Sequence, residues 1–170
     1  MISLWVYLTV GALAPRRNHK VTTVIDGQEY AYECEEYKPS VKLVPLPLEM
    51  TSKATPEDLV ISLYSHMAAL DVKGFKAHWY KYAEYMEKFG GGSPSDETYK
   101  AGWPKMMGLE EFLKYRIQYK ELTVLVTECK DDEEGRVIRG IYPTRRVGTE
   151  FLCTNEMAGD ELLSQLADPR

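Results

Sequence analysis

The stretch LEEFLKYRIQYKELTVLVTEC, Leu109–Cys129, changes its period halfway along. Up to Lys120, the apolar residues Leu109, Phe112, Leu113 and Ile117 recur three and four apart, the repeat of a helix. From Leu122 the run is dense in Val, Leu and Thr, as in a buried strand. The position of this switch decides the fold class. It predicts a third helical region from about Asp96 to Tyr119, interrupted near AGWPKMMG by Gly102, Pro104 and Gly108. Strands follow at LTVLVTEC (122–129), RVIRGIYPTRRV (136–147) and TEFLCTNEM (149–157), and GDELLSQLADPR closes as a short helix or tail.

Ahead of the switch, KVTTVIDGQEYAYECE (20–35) reads as a hairpin. Asp26-Gly27 suits the two-residue loop, because both positions need a positive φ. Folding about it sets Val21, Thr23 and Ile25 opposite Tyr32, Tyr30 and Gln28, on one face with Cys34. Glu29, Ala31, Glu33 and Glu35 share the other face, so one side is buried and one wet. The prolines at 39, 45 and 47 make the following segment an extended connector that excludes helix and discourages a central strand.

Helix one begins with Thr55 as N-cap, Pro56 at the first position, and Glu57 and Asp58 complementing the dipole. Val60, Leu63, Tyr64, Met67 and Leu70 form its stripe. Asp71 caps a second helix, whose stripe is Phe75, Trp79, Tyr82, Met86 and Phe89, ended by GGGSPSD (90–96). The order is strands, helices, strands, without βαβ alternation. The expectation is one domain over 1–170 with an α+β fold, helices on one face of an antiparallel sheet. Its parts are N-terminal strands and connector (1–50), about three helices (55–120), a strand meander (121–156) and a tail (157–170).

The segment TPEDLVISLYSHMAALDVKGFKAHW (55–79) and the ending GTEFLCTNEMAGDELLSQL (148–166) resemble the nuclear transport factor 2-like superfamily. The likeness covers residues 55–166 and rests on caps, small residues and apolar spacing. It implies a cystatin-like cone, a curved sheet wrapped on about three helices, here with an added N-terminal hairpin. It implies either a binding module or a cofactor-independent isomerase or dehydratase, since the superfamily holds both. The chain departs from the pattern in its glycine-rich loop at 90–96 and in the strands ahead of helix one.

Composition bounds the function. The chain has 170 residues, 28% of them charged, and a net charge of −5, which argues against a generic nucleic-acid binder. Residues 2–14, ISLWVYLTVGALA, are too short for a membrane-spanning helix, and no integral membrane segment is expected. This run reads two ways, as a first strand or as an export signal ending in Ala12-Leu13-Ala14, so the compartment stays open. Cys34, Cys129 and Cys153 are too widely spaced for a zinc pattern, and three is odd; one disulfide with one free thiol remains open beside three free thiols.

The candidate ligand-contacting residues are Tyr64, His66, Trp79, Tyr82, Tyr115 and Tyr142, aromatics and an imidazole that could line a cone pocket. An enzyme would use His66 as base and Tyr64 and Tyr142 as proton donors. The bland alternatives are a boundary histidine bonded to a neighbour, and tyrosines that are simply core. His78, one step off its stripe, is expected to be exposed. The acidic run at 129–136 lacks the ligand spacing of a calcium loop, and GGGSPSD lacks the lysine of a phosphate loop. No cofactor and no metal are expected. The leading expectation is a non-catalytic module for a small molecule or a protein, with a homodimer through the sheet as one arrangement. Alternatives are the enzyme, or an acidic inhibitor docking through Glu29, Glu33 and Glu35.

Overall fold

The computed structural model describes residues 18–88, 92–130 and 135–167. The run at 2–14, Phe89, the start of the glycine-rich loop and the acidic turn at 131–134 lie outside the described residues. Six strands form one antiparallel sheet whose spatial order is the order of the chain: β1 (Asn18–Ile25), β2 (Gln28–Lys42), β3 (Glu111–Tyr119), β4 (Leu122–Lys130), β5 (Val137–Val147) and β6 (Glu150–Cys153). Between β2 and β3 lie α1 (Pro56–Ala68), α2 (Val72–Lys76), α3 (Tyr82–Lys88) and α4 (Asp96–Met107); α5 (Glu161–Ala167) follows β6. The α+β class is as expected.

The hairpin keeps its expected register, with Val21↔Tyr32, Thr23↔Tyr30 and Ile25↔Gln28. Asp26 and Gly27 take φ of 49° and 82°, the left-handed turn that lets two residues connect twisted strands. The Thr55 hydroxyl accepts from the Asp58 amide and Pro56 opens α1, while the Asp71 carboxylate accepts from the Gly74 amide. Leu70, at φ 55°, makes the sharp turn between the two helices.

Four expectations need correction. Glu111–Tyr119 is a strand, not the stronger half of a helix. Its residues also fit a period of two, and a bulge between Leu113 and Tyr115 hides that alternation by moving the inward side chains to the other face. The helical region therefore ends at Met107. The second helix is not continuous: α2 stops at Lys76, Lys81 takes φ 52°, and α3 begins afresh. Pro39 lies inside β2, beyond the Gln28–Glu35 stretch that pairs with β1; the β2–β3 register shifts between Glu36 and Val41, so the missing amide falls in an irregularity. Finally, the helices do not all lie on one face.

The two faces have separate cores. α1 packs Val60, Ile61 and Tyr64 on Tyr37, Leu113 and Leu125, and Leu59 and Leu63 on Cys153. α5 packs Leu162 and Leu163 on Tyr30, Ile117, Val124 and Val126, which point the other way by strand alternation. A fully buried leucine of this kind contributes about 2 kcal/mol. Met67, Val72 and Trp103 fix α4 against α1 and α2. All three cysteines are free thiols.

Candidate functional site

Two places carry chemistry. The first is a polar cluster where α1, α2 and the segment after α2 meet. His66, near the end of α1, sends Nδ1 to Asp71 Oδ2 at 2.9 Å. A carboxylate only accepts, so Nδ1 carries the proton. His78 is buried, at 6% exposure, against the expectation that it is exposed. The reason is tertiary: Cys153 donates its amide to the His78 carbonyl at 2.9 Å, and Tyr80 donates to Cys153 at 2.8 Å, which pins this segment along β6. Its ring Nδ1 donates to the Gly74 carbonyl and its Nε2 accepts from the Ser62 hydroxyl, each at 2.6 Å. Burial holds the His78 imidazole below its ordinary pKa, and the neighbouring His66 adds to this. The two rings lie 4.7 Å apart between centroids. Gly74 leaves room for them, since a Cβ there would meet His66 Nδ1 at 2.1 Å.

The second place is a groove of about 470 Å³ across one end of the sheet. Glu128 continues the face of Val124 and Val126 beyond α5, whose last turn meets Arg139 through the Leu166 carbonyl at 3.4 Å. The groove is thus the part of this face that α5 leaves uncovered. Phe112 and Val137 supply apolar lining, with Ser40, Lys114 and Glu128 around them. Lys114 Nζ reaches Ser40 Oγ at 2.9 Å and Glu128 at 3.8 Å, and Arg139 Nε holds the other Glu128 oxygen at 3.0 Å. Charges are fixed by their neighbours, and the aromatic ring is half-buried.

The predicted site residues fall in several places. Tyr64 and Tyr142 come together in the core under α1, and Tyr142 also touches the Leu59–Leu63–Cys153 cluster with Trp79. Tyr142 donates to Glu111 at 3.4 Å, and Thr127 donates to the same oxygen. Burial raises the Glu111 carboxyl above its ordinary pKa. Tyr115 packs with the α5 cluster on the opposite face. Tyr82 bonds to Ser93 and to Tyr99, and lines a shallow cavity of about 540 Å³ with Lys76 and Met86. None of the six lines the groove beside Phe112.

Sequence reasoning missed Phe112, Lys114 and Glu128 because it placed the first two on a helix. It also missed a buried carboxylate: Glu57, 7% exposed, accepts from the Tyr37 hydroxyl and from Arg116 Nη1 at 3.2 Å. Its place in the first turn of α1 was the signal, and the helix dipole explained it too readily. Among the described residues no group of three His, Cys, Asp or Glu could hold a metal ion, and no helix is long and apolar enough to cross a membrane.

No family model, no curated protein and no solved structure matches the chain.

Proposed function

We propose that the chain is a non-catalytic binding module that takes a small molecule in the groove beside Phe112. One observation carries this reading: among the described residues, α5 leaves the half-buried ring of Phe112 and the exposed Val137 facing the groove, beside the fixed charges of Lys114 and Glu128. An apolar floor with a few oriented polar groups is the usual make-up of a ligand site. The nuclear transport factor 2-like relationship belongs to the same proposal. The Thr55 and Asp71 caps and the meander from β3 to β6 support it.

The test is a titration of small aromatic carboxylates and amines, followed through backbone amide shifts. Binding should move Phe112, Lys114 and Glu128, and Phe112→Ala should abolish it. Shifts confined to other residues, or none with any probe, would overturn the reading. Shifts only with an added protein would point to a protein partner instead.

The enzyme reading, with His66 as base and Tyr64 and Tyr142 as donors, has less support. The Nδ1–H that His66 donates to Asp71 is compatible with a base at Nε2, but Tyr142 is committed to Glu111 and Tyr64 is packed in a core cluster that does not include His66. For the acidic-inhibitor reading, Glu29 and Glu33 are exposed on one face of the hairpin, while Glu35 is paired with Arg116.

A further inference from the structure

We propose that a second copy of this chain pairs antiparallel along the outer edge of β1, joining two sheets into one across a twofold axis at Thr22. The two edges of the sheet are treated differently. The β6 edge is occupied: Phe151 donates to the Lys53 carbonyl at 2.8 Å, and Cys153 exchanges backbone bonds with His78 and Tyr80. The β1 edge has no strand beside it among the described residues. Edge strands are commonly guarded by proline, a bulge, an inward charge or edge lysines, and here Lys20 is the single lysine. Between Asn18 and Ile25 there is no proline, the register with β2 has no shift, and KVTTVI is rich in β-branched residues.

The edge is complementary to itself. Ile25 and Gln28 flank a two-residue loop and so form a hydrogen-bonded pair. Bonding then alternates, and Ile25, Thr23 and Val21 direct their backbone groups to β2, whereas Val24, Thr22 and Lys20 direct theirs outward. A twofold axis at Thr22 sets Thr22 against its own copy and Lys20 against the partner copy's Val24, with all outward groups matched. No like charges oppose each other, since the one lysine, Lys20, faces Val24 in this register. Val24, 65% exposed in the single chain, gains the stem of the lysine as cover. The inference is independent of the groove, which lies at the far end of β3, β4 and β5.

Sedimentation of the full chain should show a concentration-dependent dimer. Val24→Lys separates this register from others. In the single chain the new lysine faces Glu29 across the hairpin, which favours folding. In the dimer it faces Lys20 of the other copy, twice over, and should weaken association about ten-fold. Val24→Glu should tighten it. Thr22→Pro, which removes an outward amide, should leave a folded monomer. A chain that stays monomeric at several hundred micromolar overturns the proposal. So does a dimer indifferent to both Val24→Lys and Thr22→Pro, whatever its strength.

Discussion

His78 Nε2 lies 2.6 Å from the hydroxyl of Ser62, and both side chains are buried. The other ring nitrogen is held by the Gly74 carbonyl, so the imidazole is locked in one neutral tautomer. This pair fastens the segment after α2 to α1, and through it to β6.

The pair makes stability sensitive to acid. The His78 pKa in the folded chain lies below its ordinary value of 6.5, chiefly through burial. The bond to Gly74 and the charge of Glu150 oppose the shift, while His66 and Lys53 reinforce it. In the unfolded chain the imidazole takes a proton near 6.5. The stabilisation is therefore complete above that pH and is lost as pH falls from there towards the folded value. Urea midpoints at pH 7.5 and pH 5 should differ in that direction, and His78→Gln should shrink the difference. An equal pH dependence in the variant would remove His78 as the cause.

Ser62→Ala strips the hydroxyl and leaves a buried ring nitrogen without a donor. The expected loss is about 2 kcal/mol, the cost of an unsatisfied buried polar group. Equilibrium unfolding at pH 7.5 measures it.

Two glycines in the helical region should respond oppositely to alanine. At Gly74 the added methyl would meet His66 Nδ1 at 2.1 Å and Asp71 Oδ2 at 2.3 Å, groups already bonded to each other. Overpacking of this kind costs about 2 kcal/mol. At Gly102, inside α4, nothing lies within 4 Å of the added atom. Gly102→Ala should stabilise by about 0.5–1 kcal/mol through helix propensity. A pair of melting curves decides both.

Glu111 sits where a carboxylate is unwelcome. Burial raises its pKa, against the bonds from Thr127 and Tyr142. A carboxyl raised on folding favours the folded state at low pH, and that advantage fades as pH rises through the raised value. Glu111→Gln keeps an acceptor for both hydroxyls and removes the charge. The variant should melt higher than the parent at pH 7, with the gain shrinking towards about pH 4. A lower melting point at pH 7 would mean that the charge itself holds Thr127 and Tyr142.

Local chemistry was readable and long-range contact was not. Asp26-Gly27, Thr55, Pro56 and Asp71 act through neighbours a few residues away, and each does what its residue type dictates. Glu111–Tyr119 was misread because Leu109, Phe112, Leu113 and Ile117 satisfy a helical period. The competing strand pattern of Leu113, Tyr115, Ile117 and Tyr119 is split between two cores by a bulge. His78 was misplaced because its cover comes from β6, far along the chain. The groove was invisible for the same reason: it exists only where α5 ends over β3, β4 and β5.

Sheet order that follows chain order has a kinetic consequence. β1 to β2, and β3 through β6, are each joined by six residues or fewer, but β2 meets β3 only across all four inserted helices. Lys42 and Glu110, which pair there, are 68 residues apart. Loop-closure entropy is thus concentrated in one step rather than spread over five. The arrangement predicts that β3–β6 assemble early as a local unit and that the N-terminal hairpin docks late. Truncating Leu125 should then slow folding, while truncating Tyr37 should mainly speed unfolding.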